Sequence, residues 1–307
     1  MRGKNVIAIL LSDIHLSLKP PVWRSAEPDW FEAMARPLDE IKELQKEYPY
    51  CPILCAGDIF DKWNSSPEII NFALEHLPDG MFAIPGQHDL PLHNYEDIKR
   101  SAYWTLVEAD KITNVTQDLI NIASSELTLY GIPYGGRIDS ATPHQSEFLQ
   151  IAIVHDYVWI TNYGYPGAPL ENNVSALEKK LSGWDVVVFG DNHKGFLTYK
   201  IGQTTVFNCG TLMRRKLDEI DYKPQVGLLL DTGEVISHYL DISKDKYLDK
   251  VEGKVDPELD MTSFIEELEK LGETALDFRD AMKRFFRKGK ITNEAKQVII
   301  DAMEKKG

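Results

Sequence analysis

Long hydrophobic runs, internal repeats and low-complexity segments are all missing from this sequence. A membrane-spanning helix needs about 20 consecutive apolar residues, and no segment approaches that length. This excludes an integral helical membrane protein and a repeat architecture. What remains is an ordinary globular composition, 43% hydrophobic and 27% charged, in 307 residues, enough for one large domain or two smaller ones.

Basic residues are outnumbered by acidic ones, 34 to 48, which gives a formal net charge of −14. Non-specific affinity for nucleic acid comes from basic groups that contact phosphates, so an acidic surface repels it. A role on nucleic acid therefore requires a local basic patch, divalent cations or a partner protein.

Cysteine is also scarce, and the three residues Cys51, Cys55 and Cys209 have neither zinc-knuckle nor C-x-x-C spacing. We interpret them as small buried thiols. The apolar run Val6–Leu11 is followed at once by Ser12–His15 without a small-residue cleavage site, which predicts a first core strand and not a signal peptide. We expect a cytoplasmic protein.

Short apolar runs that end in polar clusters alternate with helical patterns, which is typical of an α/β layer fold. Asp29–Glu32 predicts a capping box that opens a helix, and Pro37 is expected to restart that helix at a new first turn. Strands dominate from about residue 113, which predicts a second sheet packed on the first. The predicted strands are 6–11, 52–57, 81–85, 118–122, 126–132, 150–154, 185–189, 197–200, 204–208, 225–231 and 234–240, and the further helices are 66–77, 95–109 and 174–181.

The sequence changes character near residue 244. Residues 1–243 are predicted to form the main domain, and 244–260 are charged, broken by Gly and Pro, and typical of a linker. Residues 261–307 have helical periodicity but are too few to bury a core of their own. We expect this tail to dock on the domain or on another protein.

Five predicted strands end in residues that bind metals or transfer protons. The carboxyl ends of strands in α/β sheets are where ligands gather, so these five ends are predicted to converge. One Asp-x-His after a strand is more often a turn, and one Gly-Asp-x-x-Asp is more often a helix entry, but five in order favour a shared site. The ends are Asp13-Ile14-His15, Gly57-Asp58-Ile59-Phe60-Asp61, Gly86-Gln87-His88-Asp89, His155-Asp156 and Gly190-Asp191-Asn192-His193.

This order of motifs resembles that of the calcineurin-like metallophosphoesterases: D-x-H, G-D-x-x-D, G-N-H-D/E, a lone His, then G-H-x-H. The resemblance implies a four-layer α/β/β/α sandwich with a two-metal site, in which a hydroxide shared by the metals attacks phosphorus. It assigns Asp13, His15 and His193 to the first metal, Asp58 to the bridge and His155 to the second metal. It also implies that His88 contacts the scissile phosphate and that Asp89 orients its ring.

Two positions depart from the family pattern: Gln87 replaces Asn, and Asp191 replaces the first His of the last motif. Gln keeps an amide oxygen on a longer arm, and Asp offers a charged oxygen, so we expect both to bind the second metal. Oxygen donors suit Mn²⁺ or Mg²⁺ better than Zn²⁺, which predicts two Mn²⁺ ions, with Mg²⁺ as the alternative. Asp191 can instead orient a neighbour beside a weak second site.

Within the family, two segments are most similar to SbcD-type nuclease subunits of double-strand-break repair complexes. They are Ala56–Asp61 followed by Ser66-Pro67, and Asn208–Arg214, in which Cys209 stands where Pro is usual. The resemblance implies a nuclease for DNA ends whose tail, 261–307, binds a coiled-coil ATPase of SbcC type, in a complex where a homodimer is possible. The chain lacks the long insertions of cellular members, which is compatible with a phage-encoded member of this group.

Candidate substrate-binding residues follow two of the motifs. Arg214 and Arg215 are candidates to hold a phosphate backbone, and a basic cluster lies in the tail between 279 and 290, although charge runs of this kind are more often solvated surfaces. Tyr157 and Trp159, directly after His155, either stack unpaired bases or pack on their own loop.

Two rival functions fit the same motifs. The acidic charge favours a phosphodiesterase or phosphatase for small molecules or phosphoproteins, whereas the basic tail and the SbcD-like segments favour DNA. A non-catalytic scaffold would explain Gln87 and Asp191 but not the intact His88 and Asp89.

Overall fold

The computed structural model describes residues 5–49, 51–143, 147–160 and 168–248, all within one compact unit that ends at Asp249. Two six-stranded sheets form its centre, in the orders β12-β11-β1-β2-β3-β4 and β5-β6-β7-β8-β10-β9. The strands are β1 (Val6–Leu11), β2 (Ile53–Cys55), β3 (Met81–Ala83), β4 (Ile112–Asn114), β5 (Leu119–Ile122), β6 (Leu127–Ile132), β7 (Leu149–His155), β8 (Val186–Gly190), β9 (Phe196–Ile201), β10 (Thr204–Asn208), β11 (Gln225–Leu230) and β12 (Val235–Tyr239).

Helices cover the outer face of each sheet. Alternate residues of β7 and β8 face opposite sides: Ile151 and Val186 pack in the core between the sheets, while Ala152 and Val187 pack against the outer helices. The sheets are therefore apolar on both faces, as covered parallel strands must be. The α-helices are α1 (Trp30–Glu47), α2 (Pro67–His76), α3 (Ala102–Glu108) and α4 (Glu178–Leu181).

The predicted α/β/β/α sandwich is confirmed, with three local differences. Pro37 lies inside one continuous helix, α1, so the expected restart was wrong; Asp29 does cap α1, accepting from the backbone N–H groups of Phe31 and Glu32. The predicted helix 95–109 is divided at Ser101, whose side chain caps α3. Strand β4 was missed because its three residues are too few to show alternation.

The first residues of the predicted linker contact the domain. Asp245 forms ion pairs with Arg24, Arg36 and Arg214, and the backbone N–H of Leu248 donates to Trp23 O at 3.0 Å. The compact unit thus continues past residue 243. The predicted tail, 261–307, lies outside the described residues. Among the described helices, none has the length and apolar character needed to cross a bilayer.

Strand direction places the motif-bearing ends together. β1, β2 and β3 are neighbouring parallel strands of one sheet, and β7 and β8 are neighbouring parallel strands of the other. The carboxyl ends of all five strands meet at the same edge of the sandwich, which the cross-sheet hydrogen bond from His155 Nδ1 to Ala56 O (2.6 Å) demonstrates. The predicted convergence is confirmed.

All three thiols are buried, and burial raises the pKa of Cys51 and of Cys209 to about 12 and raises that of Cys55 as well. Because the thiolate is the reactive form, we expect negligible reaction of the native protein with a disulfide reagent at pH 8. Three equivalents should react after denaturation in guanidinium. Fast reaction of one thiol without denaturation would contradict the buried placement.

Candidate metal centre

The loop after β1 holds Asp13 and His15 in an unusual backbone conformation. Both are fully buried, and both have φ of 52°, the left-handed region that non-glycine residues rarely adopt. Backbone N–H groups of the two residues donate to Gly57 O (2.9 Å) and Asp58 O (3.0 Å), and Thr211 Oγ1 donates to Asp13 O (3.0 Å). The neighbouring motif thus imposes the strain, which is typical of functional sites.

Asp13, His15 and His193 converge as predicted for the first metal. Their ligand atoms lie within 4.8 Å of one another. His15 Nε2 and His193 Nε2 are 3.0 Å apart, and two ligands bound at right angles to one ion at about 2.1 Å each lie about 3 Å apart. The spacing of the two imidazoles therefore fits a single bound cation.

Asp58 has the geometry of a bridging carboxylate. Its Oδ1 accepts from the backbone N–H of His88 at 2.9 Å, whereas its Oδ2 is buried without a hydrogen-bond partner among the described residues. That oxygen lies 3.8 Å from His15 Nε2 and 3.5 Å from His155 Nε2. A buried carboxylate oxygen without a partner is costly, and a cation on either side would satisfy it. The residues present therefore fit a pair of divalent metals.

His155 is oriented for metal binding from the opposite sheet. Its Nδ1 donates to Ala56 O, which leaves Nε2 as the nitrogen that faces the site, 2.6 Å from Gln87 Oε1. Gly190 permits this approach, because a Cβ there would lie 2.7 Å from His155 Nδ1 and 2.3 Å from Ala56 O. A side chain at residue 190 would therefore displace the ligand.

The charges of the buried groups depend on one another. Burial raises the pKa of Asp13, opposed by His155 and His193. Burial alone would raise the pKa of Asp58 and lower that of His155, but their mutual attraction dominates: the pKa of Asp58 is lowered and that of His155 is raised to about 10. A protonated imidazole thus supplies positive charge at the point where the family binds its second cation.

The two residues that depart from the family pattern contact each other. Gln87 Nε2 donates to Asp191 Oδ1 at 2.7 Å, and the backbone N–H of Asp191 donates to both oxygens of Asp13 at 3.1 and 3.2 Å. In the described part of the chain, three groups of His, Cys, Asp and Glu side chains have metal-binding spacing, and none includes Asp191.

His88 lies beside the metal ligands with one ring nitrogen already engaged. Its Nδ1 is 2.9 Å from Asp61 O, which leaves Nε2 to face substrate, and its ring packs edge-on against His15 at 5.0 Å. The backbone carbonyl of Asp61 therefore orients this ring, a role that the sequence assigned to Asp89.

The expected role of Asp89 is corrected by its contacts. Its buried carboxylate accepts from the backbone N–H groups of Ile59 (3.2 Å), Phe60 (3.0 Å) and Gly86 (3.0 Å). Burial and the charge of Asp58 raise its pKa to about 7, against the effect of these three donors. Asp89 thus ties the loops after β2 and β3 together and acts on His88 only through the backbone.

Glu219 belongs to the site although no motif contains it. Its Oε1 lies 3.3 Å from His193 Nδ1, and its Oε2 accepts from the backbone N–H groups of Arg215 (2.6 Å) and Lys216 (3.0 Å). A carboxylate on the outer nitrogen of a ligand His fixes the ring and raises its basicity. It lies 26 residues from His193 in the chain, so no local pattern identified it.

Of the two predicted phosphate-binding arginines, Arg214 is excluded. It is 6% exposed, it pairs with Asp245 Oδ2 at 2.9 Å, and it donates to the carbonyl of Ile220. Because the Arg214 guanidinium is buried and paired, it is not accessible to a substrate phosphate. Arg215 instead reaches the site, where its guanidinium lies 2.6 Å from Asp61 Oδ1.

Tyr157 and Trp159 lie in the loop that follows β7. The Trp159 indole N–H donates to Pro169 O at 3.2 Å, and Asn172 Nδ2 donates to Tyr157 O at 2.8 Å. These contacts support the self-packed alternative for the described part of the loop.

The geometry brings candidate ligands for two metal ions together at the carboxyl ends of two stacked sheets. The family model for calcineurin-like phosphoesterases matches residues 8–195, and the chain belongs to that family. No curated protein matches the chain.

The solved structures that match the chain are distant in sequence. A putative 5′-nucleotidase from Staphylococcus aureus is 14% identical over 83% of this chain, with a TM-score of 0.47, and this chain spans 56% of its length. The protein TT1561 of Thermus thermophilus is 15% identical over 77% of this chain and all of its own, with a TM-score of 0.45. Both scores are below 0.5, so the family assignment depends on the sequence match.

Replacing Asp89 with Asn should destabilise the protein by about 1–3 kcal/mol, because an NH₂ group would face at least one buried backbone donor. Urea denaturation followed by tryptophan fluorescence measures this change. Asp118→Asn, an exposed position, is the matched control and should change stability by less than about 0.5 kcal/mol. Equal stability of the two variants would contradict the role given to Asp89.

Glu219→Ala should weaken Mn²⁺ binding at the first metal position about 10- to 100-fold, because His193 loses the group that fixes its ring. Glu219→Gln keeps an acceptor oxygen and should lose less. Calorimetric titration of metal-free protein with Mn²⁺ tests both, with Glu171→Ala, an exposed glutamate, as the control. Unchanged affinity in Glu219→Ala would exclude the orienting role.

Proposed function

We propose that this protein is a DNA nuclease of SbcD type that hydrolyses phosphodiester bonds with two Mn²⁺ ions. The main support for metal-dependent hydrolysis is Asp58 Oδ2, which accepts no hydrogen bond from the described residues and lies between His15 and His155. Flanking cations would satisfy this buried oxygen. His88 lies beside these residues.

Each protein group has a definite task in this reaction. Two divalent cations, when bound, supply a nucleophilic water at neutral pH and neutralise charge on the phosphoryl oxygens. Asp13 and Asp58 would hold these cations with their negatively charged carboxylates. His88 Nε2 contacts the scissile phosphate and, when protonated, donates to the leaving oxygen, since Asp61 O fixes the ring through Nδ1.

DNA as the substrate is supported by the SbcD-like segments Ala56–Asp61 and Asn208–Arg214. Arg215 lies at the site, and Lys216 is exposed next to it. In this proposal the two cations hold the phosphate next to the scissile one. Binding of DNA ends, a coiled-coil ATPase at 261–307 and a homodimer complete this proposal.

A small phosphodiester is the second candidate substrate. The burial of Arg214 removes one of the predicted backbone contacts, and the net charge of −14 disfavours long polyanions. The same hydrolytic groups would serve either substrate.

The test is Mn²⁺-dependent degradation of end-labelled double- and single-stranded DNA at low salt. We expect His88→Ala to retain its metal but to lose about 10²- to 10⁴-fold in rate. His15→Ala should lose metal, and His238→Ala, a histidine paired with Glu40, should behave as the wild type.

Metal content by elemental analysis separates these roles. Equal metal content in His15→Ala and the wild type would contradict the ligand assignment. Hydrolysis of a small phosphodiester without cleavage of DNA would support the proposed metal centre but contradict DNA as the substrate.

A further inference from the structure

The side-chain amide of Gln87 lies between two groups of opposite hydrogen-bonding character. On one side, Asp191 Oδ1 is 2.7 Å from Gln87 Nε2. On the other, His155 Nε2 is 2.6 Å from Gln87 Oε1. His155 Nδ1 already donates to Ala56 O, so Nε2 is the nitrogen turned into the site.

An amide binds a cation only through its oxygen, and its two ends are nearly identical in shape. Some neighbour must therefore set which end faces the metal. A carboxylate accepts hydrogen bonds and donates none, so Asp191 admits only the NH₂ end of Gln87. The oxygen is then directed to the side where His155 and Asp58 lie.

Asp191 is itself held in place by the first metal's ligand. Its backbone N–H donates to both oxygens of Asp13, and its φ of 76° lies in the left-handed region. The next residue, Asn192, is buried and donates through Nδ2 to Val158 O at 2.8 Å. The Asp191 carboxylate is therefore directed by two independent anchors and not by a flexible loop.

We propose that Asp191 is a positioning residue that turns the oxygen of Gln87 toward the second metal and is not itself a ligand. Asp58, Gln87 and His155 are then the protein ligands of that metal. The pair Gln87–Asp191 replaces the Asn and His of the family pattern as one unit, with the longer amide reaching the ion and the carboxylate holding the amide.

This inference rests on the two-metal site proposed above but not on the nature of the phosphoester. It gives the second metal one protein ligand fewer than direct coordination by Asp191 would. The second Mn²⁺ should therefore bind more weakly than the first. Ligation through Asp191 Oδ1, the oxygen that accepts from Gln87, would break the 2.7 Å hydrogen bond and leave the amide without orientation.

Calorimetric titration with Mn²⁺ and electron paramagnetic resonance of the bound ions measure the two sites separately. Asp191→Ala should weaken the second site about 10- to 100-fold and leave the first within about threefold. Asp191→Asn, whose Oδ1 still accepts from Gln87, should lose less. Asp118→Ala removes an exposed carboxylate outside the site, and it should bind both ions as the wild type does.

A crystal structure of the Mn²⁺-loaded wild type decides the role without any variant. Gln87 Oε1 on the ion, with Asp191 still bonded to Gln87 Nε2, would support the proposal. An Asp191 oxygen bound to the ion would overturn it, as would unchanged second-site affinity in Asp191→Ala. A wild type that binds one Mn²⁺ would overturn the two-metal site itself, and failure to cleave DNA would affect neither result.

Discussion

Two fully buried carboxylates, Asp13 and Asp58, lie together at the edge of the sandwich, and the surrounding structure depends on how their charge is balanced. Burying an ionised carboxylate is expensive unless charge and hydrogen bonds compensate. The groups nearest to the pair are imidazoles, from His15, His155 and His193, together with backbone N–H donors. Protonated His155 offsets part of this charge, and bound divalent cations would offset the rest.

The backbone carries strain at the same place. Asp13, His15, Asp58 and Asp191 all have positive φ, and such residues cost on the order of 1–3 kcal/mol each. Gly86 allows the loops to approach, since a Cβ there would lie 2.1 Å from Asp58 Oδ1. The continuous hydrophobic core, which covers both faces of β1 and β2, supplies the stability that holds these conformations. The strained backbone positions are therefore the same positions that carry the candidate site residues.

The strand ends and their ligands were predictable because each lies directly after an apolar run, where local pattern and function coincide. Contacts between residues that are far apart in the sequence were not predictable. Arg214 follows a motif and looks like a phosphate-binding residue, but its burial depends on Asp245, 31 residues away. Glu219 supports His193 from a segment without motif character. Asp89 was recognised as functional, yet its partners are backbone groups of another loop, which no side-chain pattern reveals.

If the substrate is DNA, as proposed above, the metal centre offsets the acidic net charge only in part. Two divalent cations would add four positive charges beside the carboxylates of Asp13, Asp58 and Asp191, so metal loading makes the field that a phosphate meets more positive. That effect acts over about one Debye length, roughly 8–10 Å. Farther out the surface repels DNA, so long-range attraction must come from elsewhere, either from the basic residues between 279 and 290 or from a bound partner. A single scissile phosphate can be drawn in by the centre alone, but a long duplex needs that second source.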